Sequence, residues 1–393
     1  MYPKITLKKE KERSVQRFHP WIFSGALHTF SAELEDGDIV SVVDFKGNFL
    51  CIGHFFKGSI AVKILSFKNE IINQAFWNQK IKNAVQLRKS IGLIGNKQTN
   101  CFRLIHAEGD NCPGLIIDVY DTTAVIQCHT IGMHKAIHEI KTAIQSALQF
   151  IDTIYDKSAS HLPDQYAETI KDSFLFGIEK EICAVENGNK FLIDIVRGQK
   201  TGFFLDQREN RNLLTKYCAD KSVLNTYCYS GGFSIYALKN NAKEVVSVDS
   251  SKTAMELVAK NITANFEHKE VNHRAIYDDV FHFFKISDLN FDVLILDPPA
   301  FAKNISKRHN AVQAYKRLNA EGFKRINKGG ILFTFSCSQV VDKELFNATV
   351  MSAAIEAHRE VKILHYLSQP ADHPINIFHP EGAYLKGLVL YVD

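Results

Sequence analysis

Residues 222–250 read SVLNTYCYSGGFSIYALKNNAKEVVSVDS, and the pattern in this stretch indicates the fold of the larger part of the chain. A short apolar run leads into a turn of small residues at 229–232. A segment with apolar residues at helical spacing follows, and the β-branched run 245–248 ends on Asp249. The pattern predicts strand, tight turn, helix and strand, with a carboxylate at the carboxyl edge of a parallel sheet. Glycines let backbone approach a ligand and Asp249 can accept both hydroxyls of a ribose, so the stretch predicts either a nucleoside site or plain scaffold.

The turn also indicates which nucleoside cofactor such a site takes. A dinucleotide site needs the spacing G-x-G-x-x-G, which the turn lacks, and an ATP loop needs G-x-x-x-x-G-K-[ST], which occurs nowhere in the chain. A cofactor with ribose and adenine but no phosphates fits better. S-adenosylmethionine is the common cofactor of that kind.

Two later strands add polar residues to the same edge. FDVLILDPPAF at 291–301 is an apolar strand that ends in Asp297 and two prolines, which cannot continue a sheet ladder. GGILFTFSCS at 329–338 is a buried type of strand whose end presents Cys337. Because parallel strands share one carboxyl edge, we expect Asp249, Asp297 and Cys337 on a single rim.

Two polar segments flank this rim in the sequence. DQRENR at 206–211 precedes the sheet and would cover the methionine end of the cofactor, or it is a helix start that Asp206 caps, with surface ion pairs. Asp278 follows a weak strand pattern at 271–275 and is placed to hydrogen-bond the adenine amine. Its neighbour Asp279 is expected to cap the next helix.

Length and composition set further bounds. The 393 residues allow two or three domains. No apolar run reaches membrane-spanning length and the first residues lack a signal-peptide core, which predicts a cytoplasmic protein with no membrane partner. The eight cysteines show no C-x-x-C pair and no zinc spacing with histidine, so reduced thiols and no metal site are predicted. The net charge of +4 permits a nucleic-acid partner without requiring one.

The chain divides into three segments. Residues 1–68 form a β-rich module, with a hairpin at 39–56 and a basic arm beside Trp21 that suits RNA contact or is a solvated face over a core tryptophan. Residues 71–178 form a mixed α/β segment that shapes a substrate cleft. Residues 181–393 contain the sheet with the predicted rim.

Several motifs, in order along the chain, resemble the 23S ribosomal RNA large-subunit methyltransferase I family. They are HPWIFSGAL, EGDNCPGL, GQKTGFFLDQRENR, NTYCYSGGF, VVSVD, FDVLILDPPAF, TFSCS and ADHPINIFHPEGAYLKG. The resemblance implies a PUA RNA-binding domain at 1–68, a central α/β domain at 71–178 that shapes the RNA cleft, and a Rossmann-like class I methyltransferase domain with a seven-stranded sheet at 181–393. It also implies S-adenosylmethionine as cofactor, 23S ribosomal RNA as partner and 5-methylcytosine as product. The cofactor contacts that it implies are Gln207, Arg208, Asn225, Tyr227, Tyr229, Ser230, Gly231, Asp249, Asp278 and Asp297.

The residues allow covalent catalysis on cytosine. Carbon 5 is a poor nucleophile, and a thiolate added to carbon 6 makes it enamine-like. Our hypothesis is that Cys337 supplies the thiolate and that Asp297 hydrogen-bonds the ring nitrogen or the amine, while the base that removes the carbon-5 proton has no candidate. Many RNA cytosine-5 enzymes carry a second cysteine just after the aspartate-proline strand end, where this chain has Pro298, Pro299 and Ala300.

Alternatives therefore stay open. Cys337 acts alone, as in uracil-5 enzymes, or it is a small residue in a turn of an enzyme that methylates nitrogen, for example position 7 of guanine. A non-catalytic RNA-binding protein and a small-molecule methyltransferase are two further classes. A homodimer is compatible with the sequence.

Overall fold

The computed structural model describes residues 2–267 and 269–393, which form two compact units. The first unit takes the chain up to Ala184 together with Ile193–Phe203 and Ala371–Gly382, and the second takes Val185–Leu192, Phe204–Pro370 and Ala383–Asp393. The division into domains at 1–68, 71–178 and 181–393 stays a prediction. Across the part of the chain that is described, no helix has the length and apolarity needed to cross a membrane.

The first sheet of the first unit has six strands in the order β2-β6-β5-β4-β1-β3. Its elements are β1 (Lys4–Leu7), α1 (Arg13–Gln16), β2 (Trp21–Phe23), β3 (Leu27–Thr29), β4 (Ile39–Val43), β5 (Phe49–Phe55) and β6 (Ile60–Ser66). The hairpin predicted at 39–56 is confirmed, because β4 and β5 pair antiparallel. Asp44 shapes the turn between them, since its Oδ1 accepts from the N–H groups of Lys46 and Asn48, both at 2.8 Å.

The second sheet of this unit has the order β11-β10-β9-β8-β7. Its elements are α2 (Gln74–Ser90), β7 (Cys101–His106), β8 (Leu115–Tyr120), β9 (Thr123–Cys128), α3 (Ile131–Lys135), α4 (Ile137–Ala147), β10 (Thr153–Asp156), α5 (Asp164–Ala167) and β11 (Ser173–Phe176). The helical segment after β9 starts at Ile131 behind its cap Thr130 and breaks at Ala136, so α3 and α4 are separate helices.

Two arginines, the buried Arg88 and the partly buried Arg103, hold two distant segments in this unit. Arg103 forms a two-pronged pair with Asp118, with both N–O distances at 2.8 Å, and the hydroxyl of Thr201 donates to the same carboxylate at 2.6 Å. Arg88 pairs with Asp110 and also donates to the carbonyl oxygen of Asp372 at 2.7 Å. Such charge-assisted bonds explain why residues 193–203 and 371–382 belong to the first unit.

A hairpin, β12 (Ile182–Glu186) with β13 (Asn189–Ile193), precedes the main sheet of the second unit. Strand β13 ends at Ile193, because the Asp194 side chain accepts from the N–H groups of Val196 and Arg197 at 3.1 and 2.7 Å and turns the chain.

The main sheet has seven strands in the order β16-β15-β14-β17-β18-β20-β19. The elements of this unit are α6 (Arg208–Leu214), β14 (Ser222–Thr226), α7 (Gly232–Lys239), β15 (Glu244–Asp249), α8 (Lys252–Phe266), β16 (His273–Tyr277), α9 (Val280–Ile286), β17 (Phe291–Leu296), α10 (Arg308–Arg325), β18 (Ile326–Ser336), α11 (Lys343–Glu356), β19 (Val361–Ser368) and β20 (Lys386–Val392). Strands β14 to β18 are parallel, and β20 runs antiparallel between β18 and β19. The predicted Rossmann-like sheet is confirmed, with β16 two residues later than the pattern at 271–275 indicated.

Both faces of this sheet are buried. Leu224 and Val246 pack into the core on one face, while their neighbours Val223 and Val245 pack into the core on the other. Parallel strands covered by helices on both sides read as continuous apolar runs, which is why the strands at 223–224 and 291–296 were visible in the sequence.

Candidate active site

The carboxyl ends of the parallel strands form one rim in the second unit. Asp249 ends β15, Asp297 directly follows β17 and Cys337 directly follows β18. Since β17 and β18 are adjacent and pair Leu296 with Thr334, Asp297 and Cys337 emerge from neighbouring strands at the same edge. The fold thus brings together the three side chains on which the chemical hypothesis depends.

The loop between β14 and α7 has an unusual backbone. Tyr227, Tyr229 and Gly231 adopt positive φ angles of 52°, 47° and 78°. Left-handed conformations cost about 1–3 kcal/mol each for residues other than glycine and cluster at ligand-binding sites. The loop therefore stores strain next to the rim, as expected of a segment that presents its backbone to a ligand.

The Asp249 carboxylate fixes this loop. Its Oδ2 accepts from the N–H of Tyr229 at 2.9 Å, and its Oδ1 accepts from the N–H of Ser251 at 2.9 Å. Each carboxylate oxygen retains a second lone pair, so the group can accept the two hydroxyls of a ribose without releasing the loop. The loop lacks the glycine spacing that binds phosphates, and the hydrogen-bonding groups around Asp249 fit an adenosine-type ligand.

A chain of buried hydrogen bonds supports the loop from within the sheet. Asn225 donates to the hydroxyl of Ser234 at 2.8 Å, Ser234 lies 2.7 Å from Ser247, and Ser247 lies 2.8 Å from Nε2 of His273. Burial lowers the pKa of His273 to about 4, so the ring is neutral at pH 7. Asn225 and Ser230 are both buried, and Asn225 holds α7 against the sheet.

Gln207 joins the polar segment before the sheet to the rim. Its Nε2 donates to Oδ2 of Asp297 at 2.9 Å, and its Oε1 accepts from Asn210 at 2.6 Å. The alternative that Asp206 caps the helix is wrong, because α6 begins after Gln207 and has no side-chain cap. The Asp206 carboxylate instead accepts from the hydroxyl of Tyr384 at 2.7 Å.

Asp297 has a strongly altered acidity. Burial and, to a smaller extent, the negative charge of Asp206 raise its pKa to about 7, although the hydrogen bond from Gln207 and the charge of Arg211 oppose the rise. At neutral pH a large fraction of Asp297 therefore carries a proton. A protonated carboxyl group can donate a hydrogen bond to a ring nitrogen, which a carboxylate cannot do.

The two arginines of the DQRENR segment are buried. Arg208 lies 3.2 Å from the Glu209 carboxylate. Arg211 forms a two-pronged pair with Glu186 at 2.7 and 2.8 Å, and the Tyr236 hydroxyl donates to the same carboxylate at 3.0 Å. The Arg211 pair is therefore not a surface ion pair; it anchors the segment to the hairpin β12–β13.

Cys337 is half-buried at the start of a tight turn. The next residue, Ser338, donates its hydroxyl to the carbonyl oxygen of Ala302 at 2.6 Å. Burial raises the pKa of the Tyr315 hydroxyl, and the charges of Cys337 and Asp297 both act on that hydroxyl. The thiol and the carboxyl group thus both lie near the Tyr315 hydroxyl of α10.

Asp278 lies at the far side of the rim. Its backbone N–H donates to the carbonyl oxygen of Asp249 at 3.1 Å, and its carboxylate lies 2.8 Å from Nδ1 of His282. The predicted cap is confirmed, since Asp279 accepts from the N–H of His282 at the start of α9.

Sequence reasoning missed Tyr315, Tyr384 and Lys386 near the rim. Tyr315 lies on α10 and Lys386 on β20, whose patterns are otherwise ordinary, and Tyr384 lies in the loop just before β20. The sequence did carry one signal for Lys386, because it is the first residue of the otherwise apolar strand β20. A charged side chain in such a strand is either buried with a polar partner or points out to solvent.

Comparison with known proteins defines the class. Residues 141–389 match the family model described as an S-adenosylmethionine-dependent methyltransferase, and residues 5–67 match a PUA-like domain. Together with the Rossmann-like sheet and its rim, this identifies an S-adenosylmethionine-dependent methyltransferase.

Full-length relatives narrow the class to one family. Ribosomal RNA large subunit methyltransferase I of Tolumonas auensis is 38% identical over 98% of this chain and 98% of its own. The protein of the same name from Photobacterium profundum is 38% identical over 100% of both chains. The chain belongs to the ribosomal RNA large subunit methyltransferase I family.

Solved structures share the fold. A methyltransferase complexed with SAH has a TM-score of 0.84 at 23% identity, with 99% of both chains covered. An S-adenosylmethionine-dependent methyltransferase from Streptococcus mutans has a TM-score of 0.83 at 23% identity, again over 99% of both chains.

Proposed function

We propose that this protein methylates large-subunit ribosomal RNA at carbon 5 of a cytosine in 23S RNA, through a covalent adduct with Cys337. The names of its full-length relatives support ribosomal RNA as the substrate. The observation that carries the carbon-5 assignment is the placement of Asp297 and Cys337 at the ends of adjacent parallel strands.

The proposed reaction starts with the protein's thiolate. The Cys337 sulfur forms a bond to carbon 6 of the cytosine, and the electron pair moves toward the ring nitrogen, which Asp297 holds by a hydrogen bond or protonates. Carbon 5 becomes enamine-like and nucleophilic. Bound S-adenosylmethionine would supply the methyl group as an electrophilic sulfonium, whose sulfur would keep the electron pair of the broken bond. A base then takes the carbon-5 proton, the bond from carbon 6 to sulfur breaks, Cys337 returns to the thiolate, and a proton taken up at the ring nitrogen returns to Asp297.

The acidity of Asp297 supports its assigned role. A carboxyl group with a pKa of about 7 can hold a proton at neutral pH and deliver it as the thiolate adds. We assign the cofactor contacts to Asp249, to the loop from Tyr227 to Gly231, and to Gln207 beside Asp297, with Asp278 nearest to the adenine.

We also propose that the N-terminal module contacts RNA. Phe18 and Phe23 are about half exposed, although large aromatic side chains are usually covered. The basic residues Lys11, Arg13 and Arg17, just before these rings in the chain, are exposed as well. Exposed rings close in sequence to exposed cations suit base stacking and phosphate contacts.

The test combines a trapping experiment with product analysis. Ribosomal RNA that contains 5-fluorocytosine should form a stable protein–RNA adduct with the unaltered enzyme and with the control Cys183→Ser, which changes an exposed thiol. Cys337→Ala should form none and should lose methyl transfer. Wild-type rates in Cys337→Ala, or 7-methylguanine as the modified nucleoside, would overturn the carbon-5 mechanism. Absence of S-adenosylmethionine binding in calorimetry would favour a non-catalytic RNA-binding protein.

A further inference from the structure

Three ligand-type side chains converge in the first unit. They are His19, His379 and Glu381, and their nearest ring nitrogens and carboxylate oxygens all lie within 4.8 Å of one another. Nε2 of His19 lies 4.0 Å from Oε1 of Glu381, and Nε2 of His379 lies 3.8 Å from Oε2. Both distances exceed hydrogen-bond length, so the groups converge without bonding to each other.

His379 indicates that something else belongs between them. Its side chain is buried, and neither ring nitrogen finds a hydrogen-bond partner within residues 2–267 and 269–393. A buried polar atom without a partner destabilises the fold, and a bound ligand that pairs with it would remove that penalty. The ring packs edge-on against Trp21, with centroids 4.3 Å apart, so it cannot simply rotate into solvent.

The backbone of Trp21 fixes the His19 ring. Nδ1 of His19 accepts from the N–H of Trp21 at 3.2 Å and lies 3.2 Å from the carbonyl oxygen of the same residue. Nε2 therefore faces Glu381, at 4.0 Å from its carboxylate, and can bind a metal ion when its proton moves to Nδ1, which would then donate to the Trp21 carbonyl. Trp21 is itself held by Glu108, which accepts from the indole N–H at 2.9 Å.

The spacing suits a small divalent cation. Zinc bonds to nitrogen and oxygen at about 2.0–2.2 Å, so neighbouring ligand atoms in a tetrahedral site lie about 3.4 Å apart. The two nitrogen–oxygen distances are only slightly longer, and Glu381, at 57% exposure, can move by the difference.

We propose that His19, His379 and Glu381 bind one zinc-type divalent cation, with water in the fourth position. The ion would fasten the end of the segment Ala371–Gly382 to the residues that precede β2. Two imidazoles and one carboxylate are a donor set that zinc takes in proteins.

Titration with zinc chloride tests this site in a Cys183→Ser background, which removes an exposed thiol. The unaltered site should bind one zinc ion, and His379→Asn and Glu381→Gln should each weaken binding at least about tenfold. His28→Asn, which changes an exposed histidine, is the matched control and should bind like the parent. Cobalt(II) should give a visible absorption band that both variants lose.

Thermal unfolding separates a lost site from a damaged fold. In chelator the parent and the variants should melt alike, and added zinc should raise the midpoint only of the parent and the control, because a ligand stabilises the state that binds it. No zinc binding by the parent, or equal binding by all variants, would overturn the proposal.

A second, independent observation concerns Lys386, which is buried beside the turn that carries Cys337. Its Nζ donates to the carbonyl oxygens of Ser338 and Val341, both at 2.6 Å. The ammonium group thus closes the turn that starts at the thiol. Burial lowers the pKa of Lys386, and the charge of Cys337 acts in the opposite direction, so the two groups interact through their charges.

We infer that Lys386 is a positioning residue, which fixes the Cys337 turn and stabilises the thiolate. The inference rests on the proposed thiolate mechanism, but its test does not depend on methyl transfer. Because a nearby cation favours the thiolate, the rate of alkylation of Cys337 by iodoacetamide at pH 7 should fall about tenfold in Lys386→Met.

The pH profile of alkylation is the decisive measurement. In Lys386→Met the profile should move to higher pH, whereas the control Lys343→Met, which changes an exposed lysine, should match the parent. A turn that is merely loosened would expose the thiol and speed alkylation at all pH values. That result, or an unmoved profile, would refute the electrostatic role, and methyl transfer could still proceed.

Discussion

The Asp297→Asn substitution should change how the stability of the cofactor-free protein depends on pH. Asparagine keeps an oxygen that can accept from Nε2 of Gln207, which lies 2.9 Å from Oδ2 of Asp297 in the parent protein. Its amide group cannot ionise. The buried carboxyl of Asp297 can ionise, and burial raises its pKa from 3.8 to about 7.

The sign and size follow from proton linkage. Between pH 4 and 7 the unfolded chain has released this proton and the folded chain still holds it, so stability falls as pH rises. A rise of about three pKa units corresponds to about 4 kcal/mol, which is fully present below pH 4 and lost by pH 7 or slightly above. The Asp297→Asn variant has no titrating group at this position, so its stability does not fall with pH for this reason.

Melting curves at pH 5 to 8 measure the effect. The variant's advantage over the parent should grow by about 3 kcal/mol across this range, or about 5–10 °C in midpoint for a unit of this size. Asp288→Asn, which changes an exposed carboxylate, serves as control. If the parent and Asp297→Asn give parallel profiles, Asp297 does not hold a proton at neutral pH and its proposed role toward the ring nitrogen fails.

Three further outcomes follow from the second unit. Glu186→Gln should lower stability by about 3–5 kcal/mol in urea unfolding, because it leaves Arg211 charged and buried without its counter-ion. Asp249→Asn should weaken S-adenosylmethionine binding at least about tenfold in calorimetry, since it removes the charged carboxylate that accepts from both ribose hydroxyls. Unchanged affinity would show that Asp249 does not contact the cofactor. Gly231→Ala should cost about 1 kcal/mol and reduce cofactor affinity in the same titration, because φ is +78° and a new Cβ would meet Val258 at 3.3 Å.

The strands and helix caps that depend on neighbouring residues could be predicted from the amino-acid sequence alone. Strands buried on both faces appear as apolar runs, so β14, β15, β17 and β18 could be predicted, and the order of strands and helices implied the parallel sheet. Because parallel strands share one carboxyl edge, the common rim of Asp249, Asp297 and Cys337 followed from that order. Helix caps such as Asp279 and Asp342 depend on three neighbouring residues and were visible for the same reason.

Which residues far apart in the sequence share a buried environment could not be predicted and was seen only in the tertiary structure. Asp206 looked like a helix cap, yet it accepts from Tyr384, which is 178 residues away. The acidity of Asp297, the contact of Lys386 with the Cys337 turn, and the meeting of His19 with His379 have no local pattern. Their energies come from burial and charge proximity, which depend on the path of the whole chain.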